Sequence, residues 1–406
     1  MEDVISHEQS LTFTRQIVTA ADLAEWSDAT LDSAGRLTDA HAFTGSSNAD
    51  TQPLKLKQLI FTDSQHSSQR CKCFAFSADG KLLAASFESS DILVWRLSDG
   101  LLVQRLHRQG HTDRVMALSF SPVDYTLVSG SNDRTAIVWD TRCGRVLLRL
   151  GRHNGTVDSI AYAPNGTAIA TGSGGGDRSV KIWDALIGAY LHSFSVDEDV
   201  YSLAFSPDGS FLCVELDTSC NIYGIHTYTR AATLQHVVGK RLFSSMSHQV
   251  DRIVTAPDSD DPGQVKIWST VTGEELLTID HSMRLSYPVA FSPNGAEVVA
   301  GCEADTAAVT YDSRTGQLRH VFKLTKPAHL AAYSPDGHYI AFGARFGSHV
   351  ELYDAKSEAF LANFDGQEEA GLISEIRFSS DSHALLARFE WGPLLLYNVQ
   401  DVLRMR

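Results

Sequence analysis

One short motif recurs along this chain and limits what the chain can fold into. An apolar segment ending in an aromatic residue, followed by Ser-Pro-Asp-Gly or a close variant, begins near residues 73, 117, 159, 202, 288, 330 and 375. Its clearest copies are SLAFSPDG, PVAFSPNG and LAAYSPDG. The copies recur with a period of about 42 residues, with one degenerate place in the series, and periods of this length indicate propellers or solenoids.

Each repeat unit is predicted to form four short β-strands. In the second unit the runs ALSF, TLVSG, AIVWD and RVLLRL are aliphatic and aromatic, and Pro, Asp, Asn and Gly separate them, which favours strands over helices. A lone four-stranded sheet leaves an apolar face bare, so the units must stack, and closure into a ring removes most sheet edges.

The number of units follows from the aromatic residues that end the third strand of each unit. These residues are Trp95, Trp139, Trp183, Tyr223, Trp268, Tyr311, Tyr353 and Tyr397. The sequence therefore predicts an all-β, closed β-propeller of four-stranded antiparallel blades. We expect eight blades, with seven as the alternative if the degenerate fifth unit merges with a neighbour.

Two units carry a more specific set of residues. The second unit contains Gly110-His111, Ser129, Asp133 and Trp139-Asp140, and the third contains His153, Thr171, Asp177 and Trp183-Asp184. These residues resemble the WD40 repeat family, and the resemblance extends over residues 54–406. It implies a β-propeller that acts as a protein interaction scaffold.

The resemblance also implies a buried hydrogen-bond relay in these two units, running from Trp through Ser or Thr to His and Asp. Its members would be Trp139, Ser129, His111 and Asp133 in the second unit and Trp183, Thr171, His153 and Asp177 in the third. An indole N–H can only donate, so a buried Trp requires such an acceptor. Most other units lack the His, and we expect them to depend more on apolar packing.

The two ends of the chain are expected to meet in the last blade. The segment LKLKQLIF, residues 54–61, precedes the first complete unit as an isolated strand, and little chain follows Tyr397. We therefore predict that 54–61 is the ring-closing strand, with 401–405 as the competing candidate. Residues 1–53 lie outside the repeats and are rich in Ser, Thr, Asp and Ala, which predicts a mostly flexible N-terminal arm.

Composition excludes several functional classes. The net charge of −15 argues against non-specific binding to nucleic acid or anionic membrane. The acidic start MEDVISHEQS and the short apolar runs predict neither a secretory signal nor a membrane span, which favours the cytoplasm, the nucleus or both. The cysteines lack CxxC pairs and are expected to be reduced thiols: Cys71, Cys73, Cys143, Cys213, Cys220 and Cys302.

No stretch of the sequence predicts an enzyme, a cofactor site or a metal site. GSGGGDRS, residues 172–179, resembles a phosphate loop but joins two predicted strands and lacks the Gly-Lys-Ser/Thr ending. We interpret it as a turn. The expected partner is a protein or peptide, bound by a monomeric propeller within a complex.

The first candidate interface is the top face, formed by the loops that lead into the first strand of each unit and by the turns between the second and third strands. The positions that correspond to the top face of WD40 propellers hold basic residues in units one and two and apolar or aromatic residues in units five to eight. The predicted partner-binding residues are Arg70, Lys72, Arg114, Met116, Tyr201, Leu285, Tyr287, His329, Leu372 and Trp391. Aromatic residues, Met and Arg are enriched at protein interfaces.

The second candidate interface is the corner after Trp-Asp on the bottom face. Asp140 and Arg142 form a Trp-Asp-x-Arg corner, and Arg314 occupies the matching position in YDSR. In propellers that resemble substrate receptors of cullin-RING ubiquitin ligases, this corner contacts the ligase adaptor. The sequence thus supports a receptor function as the alternative to a scaffold.

Overall fold

The computed structural model describes most of the predicted propeller. The described residues are 15–18, 58–61, 70–107, 109–234, 242–257, 264–279, 285–302, 306–344, 348–365, 371–390 and 394–399. Their regular elements are β-strands, and no described helix is long and apolar enough to cross a membrane. Within each sheet the blade strands are antiparallel and follow one another in chain order.

The strands of the first half of the chain form four blades. Two strands precede them, β1 (Arg15–Val18) and β2 (Gln58–Phe61). Blade one is β3 (Cys73–Phe76), β4 (Leu82–Ser86), β5 (Ile92–Arg96) and β6 (Leu102–Leu106); blade two is β7 (Val115–Phe120), β8 (Thr126–Ser131), β9 (Ala136–Asp140) and β10 (Arg145–Leu150). Blade three is β11 (Val157–Tyr162), β12 (Ala168–Ser173), β13 (Ser179–Asp184) and β14 (Tyr190–Ser195); blade four is β15 (Ser202–Phe205), β16 (Phe211–Glu215), β17 (Cys220–Gly224) and β18 (Thr229–Leu234).

The second half of the chain repeats this arrangement. Blade five is β19 (Leu242–Met246), β20 (Arg252–Pro257), β21 (Val265–Ser269) and β22 (Glu275–Ile279); blade six is β23 (Leu285–Phe291), β24 (Glu297–Cys302), β25 (Ala307–Asp312) and β26 (Leu318–Lys323). Blade seven is β27 (Ala328–Tyr333), β28 (Tyr339–Ala344), β29 (His349–Asp354) and β30 (Phe360–Asp365), and blade eight contains β31 (Ile373–Phe378), β32 (Ala384–Phe389) and β33 (Leu394–Asn398). The structure confirms the eight-bladed all-β propeller, because the degenerate fifth unit forms its own four-stranded sheet.

The recurring Ser-Pro-Asp-Gly motif forms the turn between the first two strands of a blade. In blade four, Ser206 donates a 2.6 Å hydrogen bond to Asp208 and accepts one of 2.9 Å from the backbone N–H of Phe211. Gly209 has a φ of +73°, in the left-handed region that glycine adopts without steric cost. The motif therefore fixes a tight turn, and its repetition fixes the repetition of blades.

The ring is held together by apolar clusters that lie between neighbouring blades. One cluster joins Leu83, Trp95 and Phe74 of blade one to Leu386 and Leu396 of blade eight. First strands of most successive blades, such as β3 with β7 and β7 with β11, also contact one another around the central channel. Because the blades at both ends of the chain share a core, the apolar sheet faces at the junction are covered.

Blade eight obtains its outer strand from the beginning of the chain. β2 pairs with β33 in an antiparallel register in which Gln58 lies opposite Tyr397 and Phe61 opposite Leu394. β1 then pairs with β2 in parallel, giving a five-stranded sheet. β2 lies within 54–61, the segment expected to close the ring, and β1 lies within the arm 1–53; the competing segment 401–405 is outside the described residues.

Candidate functional site

The relay residues of blade two form a continuous hydrogen-bonded chain. Trp139 Nε1 donates to Ser129 Oγ over 2.7 Å, and His111 Nε2 lies 2.8 Å from the same oxygen. His111 Nδ1 lies 2.9 Å from Asp133 Oδ2, which also accepts the backbone N–H of Thr112. The chain connects β9, β8, the loop before β7 and the turn between β8 and β9.

Blade three repeats the relay with Thr in place of Ser. Trp183 Nε1 donates to Thr171 Oγ1 over 2.8 Å, His153 Nε2 lies 2.7 Å from Thr171 Oγ1, and His153 Nδ1 lies 2.9 Å from Asp177 Oδ2. Burial lowers the pKa of His153 more than the hydrogen bond with Asp177 raises it. A neutral ring that donates from Nδ1 and accepts at Nε2 satisfies every group in the chain.

The relay of blade three makes a specific contribution to acid sensitivity. The pKa of His153 is depressed in the folded state. Its contribution to folding stability is therefore complete above the ordinary pKa of 6.5 and is lost as the pH falls from that value through the folded pKa. Asp177 has a folded pKa of about 2: burial acts to raise it, but hydrogen bonds from His153 and Ser179 outweigh burial. Its contribution is therefore lost between about pH 4 and pH 2. Thermal melting at pH 7.5 and 5.5 should show a smaller decrease in Tm for His153→Gln than for the unmodified protein, and an equal decrease would contradict the assignment.

Other blades keep only parts of the relay. In blade five, Trp268 Nε1 donates to Thr255 Oγ1 over 2.7 Å. In blade seven, Tyr353 donates to Glu351 over 2.8 Å, and this carboxylate accepts the backbone N–H of Thr325. Glu351 is only 3% exposed. In blade seven this buried carboxylate connects the third strand to the loop before β27, a connection that the His and Asp pair makes in blades two and three.

Basic residues of the top face gather around one carboxylate. Glu88 forms ion pairs of 2.8 Å with Lys72 and 2.9 Å with Arg114. Burial acts to raise the pKa of Glu88, but the hydrogen bond and charge of Lys72 and the charges of Arg114 and Arg70 lower it below the ordinary value. The structure thus brings together Arg70, Lys72 and Arg114, the three predicted basic residues, and the side chain of Arg114 remains 51% exposed.

Blade eight adds two arginines that the sequence analysis did not select. Arg388 hydrogen-bonds the backbone oxygen of Lys72 and lies 3.3 Å from Glu375, which also pairs with Arg377 at 2.7 Å. Arg377 lies over the ring of Phe74 at 5.4 Å. The signal for Arg377 in the sequence was the segment ISEIRF, where charged residues alternate with apolar ones on a first strand; Arg388 lies on the second strand, in ALLARF.

These residues line a cavity of about 460 Å³ in the channel between blades one to four and blade eight. Its walls include Lys72, Met116, Asp158, Tyr201, Glu375 and Arg388. Three of the predicted partner-binding residues, Lys72, Met116 and Tyr201, therefore share one cavity. Tyr201 is 48% exposed at its rim.

The remaining predicted top-face residues are distributed differently. His329 is partly buried, and its Nε2 lies 2.6 Å from the backbone oxygen of Ile373, so it contributes to the contact between blades seven and eight. Leu372 is 42% exposed in the loop before β31. The side chains of Leu285 and Tyr287 and all of Trp391 lie outside the described residues, and their binding function stays a prediction.

The two arginine corners of the bottom face differ in their surroundings. Arg142 is 70% exposed, and its Nε and Nη2 each donate a 3.0 Å hydrogen bond to the carboxylate of Asp140 in the same turn. Arg314 reaches blade five, with Nη2 3.4 Å from Gln249 and 3.8 Å from Asp251. The two side chains are similarly exposed, at 70% and 64%, but Arg142 pairs within its own turn whereas Arg314 contacts the neighbouring blade.

The segment that resembles a phosphate loop, residues 172–179, spans the turn between two strands of blade three. Within GSGGGDRS, Gly175 and Gly176 have φ angles of +61° and +90°, and Asp177 accepts from the relay histidine. Asp158 closes the same turn by accepting from Gly174 and Thr156. Among the described residues no group of three or more His, Cys, Asp and Glu side chains could hold a metal ion.

Comparison with known proteins agrees with this geometry. A closed ring of four-stranded blades with Trp, Ser or Thr, His and Asp relays defines a WD-type β-propeller, and the family model described as WD domain, G-beta repeat matches residues 57–96, 102–140, 144–184 and 188–223. The chain therefore contains WD40 repeats at four positions within residues 57–223, and the structure as a whole is an eight-bladed β-propeller. Each match begins with the outer strand of one blade and ends with the third strand of the next, so the first match includes β2.

One solved structure supports the fold independently. The crystal structure of the computationally designed Ika8 protein has a TM-score of 0.66 and 22% sequence identity to this chain, and it covers 82% of this chain and 97% of that chain. At this identity the similarity concerns the fold alone. The search of curated proteins gives no match.

Proposed function

We propose that this protein is a non-catalytic scaffold that binds a partner protein or peptide on the top face of its propeller. The observation that carries the proposal is the channel cavity, where Lys72 and Arg388 face a space that also contains Met116 and Tyr201. WD40 propellers commonly act as protein interaction scaffolds. The exposed lining of this cavity is mostly polar, so it suits a charged or polar group of a partner.

The charges of the cavity suggest which kind of partner it accepts. In the cavity lining and the ion-pair cluster around Glu88, five cations outnumber three carboxylates: Arg70, Lys72, Arg114, Arg377 and Arg388 against Glu88, Asp158 and Glu375. This excess is local, because the whole chain has a net charge of −15. We infer that the partner presents an acidic group to this side and an aromatic or aliphatic side chain to Tyr201.

Affinity purification followed by quantitative mass spectrometry tests the site. Truncating an interface anchor costs about 2 kcal/mol or more, roughly thirtyfold in affinity, so Tyr201→Ala should lose the main partner. Arg114→Ala removes an exposed charge and should reduce capture less, with an effect that shrinks as salt is raised. Tyr287→Ala and Trp391→Ala test the apolar side of the same face. Retention of every partner by Tyr201→Ala, Tyr287→Ala and Trp391→Ala would exclude the top-face site.

The exposure of Arg142 favours a second candidate function, that of a substrate receptor of a cullin-RING ubiquitin ligase. In this proposal the Asp140 and Arg142 corner, with Arg314, docks the ligase adaptor. Arg142→Ala serves as the matched control in the same purification, because it lies on the opposite face. It should keep the top-face partner and lose a ligase adaptor, and an unchanged set of partners would reject the receptor function.

A further inference from the structure

Blade four contains two cysteine side chains that approach each other across adjacent strands. Cys213 lies on β16 and Cys220 on β17, and their Sγ atoms are 2.8 Å apart, closer than van der Waals contact between two sulfur atoms. In the register of these strands Cys213 is opposite Ile222 and Cys220 is opposite Glu215. The two cysteines are therefore diagonal neighbours on the same face of the sheet.

That face is packed against blade five and is largely apolar, but it also carries Glu215, whose carboxylate accepts hydrogen bonds from Ser244. Cys213 and Cys220 belong to a buried cluster with Ile222, Ile253 and Trp268, and they are 4% and 0% exposed. Ser244 Oγ lies 3.9 Å from Cys213 Sγ, and Ser244 also hydrogen-bonds the Cys220 thiol. Both thiols are free and buried in this structure, so the pair is a buried, reduced dithiol.

The fold itself does not require cysteine at these positions. Tyr223 lies opposite Leu212 as Trp139 lies opposite Leu127, and counting from these pairs, Cys213 matches Val128 and Cys220 matches Ala136 in blade two. In blade two, Val128 and Ala136 also pack against the following blade. Val214 takes the position of the relay residue Ser129, so blade four combines a dithiol with the absence of a relay.

We propose that Cys213 and Cys220 are a thiol modification site that a two-electron oxidant, such as hydrogen peroxide, converts into a cross-strand disulfide. The oxidant first transfers an oxygen atom to one thiol, giving a sulfenic acid and water. The second thiol then displaces the hydroxyl as water and forms the S–S bond. In total, two S–H bonds break, one S–S bond forms, and the two electrons and two protons reduce peroxide to two waters.

Access to the site is at the top end of the strand pair. Cys220 is the first residue of β17, directly after the turn in which Leu216 N–H donates to Ser219 over 2.8 Å. The hydrogen bond with Cys213 and burial both raise the pKa of Cys220, so the closed pair reacts slowly and oxidation occurs when this end of the sheet opens. The disulfide would then clamp the turn that carries Asp217 and Thr218. The proposal does not rest on partner binding, although this turn lies on the top face and the Tyr201 N–H donates to the Glu215 backbone oxygen of the same sheet.

Oxidation of the full-length protein with peroxide, followed by mass spectrometry without reduction, tests the proposal. A protease that cuts after acidic residues cleaves at Glu215 and Asp217, between the two cysteines, so a linked peptide pair lighter by two hydrogens identifies the bond. We expect the oxidised protein to have a Tm about 2–4 °C higher, because the bond restricts the unfolded chain. Reduction with a dithiol should reverse both changes.

Two variants keep the test independent of folding. Cys220→Ala and Cys213→Val introduce the residues that blade two uses at the same positions, and each should fold and lose the Tm increase. Cys71→Ala is the matched control, because it removes a buried thiol from blade one and should leave the linked peptide intact. As a further condition, the protein is fully unfolded and then refolded in the oxidant. If the Cys213 and Cys220 peptides are still recovered unlinked, the proposal is overturned.

Discussion

Deleting residues 1–62 should convert the protein into an aggregating chain, whereas deleting residues 1–50 should leave a soluble protein that unfolds cooperatively. The longer deletion removes β2, the outer strand of blade eight. All four residues of β2, Gln58–Phe61, pair with β33. This deletion exposes the backbone donors and acceptors of β33 and the apolar run Leu394–Leu396, and an exposed apolar edge strand promotes aggregation. The shorter deletion removes β1 alone.

Size-exclusion chromatography and thermal melting of both truncations distinguish the two ways of closing the ring. A third variant, lacking only residues 401–406, controls for the competing segment at the end of the chain. Identical melting of the two N-terminal truncations, together with aggregation of the third variant, would assign closure to 401–405.

Replacing Trp139 with Phe should destabilise the protein by about 1–3 kcal/mol, because the indole N–H is removed while the buried acceptor Ser129 remains. Trp139 and Ser129 are fully buried, so water does not replace the 2.7 Å hydrogen bond without rearrangement of the core. The effect should extend to His111 and Asp133, which depend on the orientation of the Ser129 hydroxyl. Denaturant unfolding at neutral pH measures the free-energy change.

Tyr223→Phe in blade four provides the comparison. Tyr223 takes the position of Trp139 but packs on Phe194 with ring centroids 4.2 Å apart, and Val214 replaces the relay hydroxyl. Loss of its hydroxyl should therefore cost less than Trp139→Phe. Equal destabilisation by the two substitutions would show that the relay of blade two adds nothing beyond aromatic packing.

The fold could be predicted from the sequence because the same short sequence motifs recur in successive units. The Ser-Pro-Asp-Gly turn and the aromatic end of the third strand recur in units that differ elsewhere, so the strand order and blade number follow from counting. The fifth unit shows the limit of this reasoning. It lacks the turn motif, but the Trp268 and Thr255 pair still anchors its sheet.

The candidate site was less predictable, because side chains from distant units meet there. Arg388 is on the second strand of blade eight, and only closure of the ring brings it to Lys72 of blade one. The proximity of Cys213 and Cys220 depends on strand register, which a spacing of seven residues in the sequence does not reveal. Glu351 was missed because it lies on the third strand, away from the turn where blades two and three place their Asp.

The offset between sequence repeats and blades also determines how the molecule could be divided. Each family repeat contributes an outer strand to one blade and three strands to the next, as in residues 144–184, which contain β10 and β11–β13. A cut at a repeat boundary therefore severs a blade between its third and outer strands, and the two fragments carry complementary open edges. Residues 1–184 and 185–406, produced separately, should thus recognise each other through β13 and β14 on one side and β33 and β2 on the other. The propeller offers a natural division for a split reporter whose halves reassemble by sheet completion.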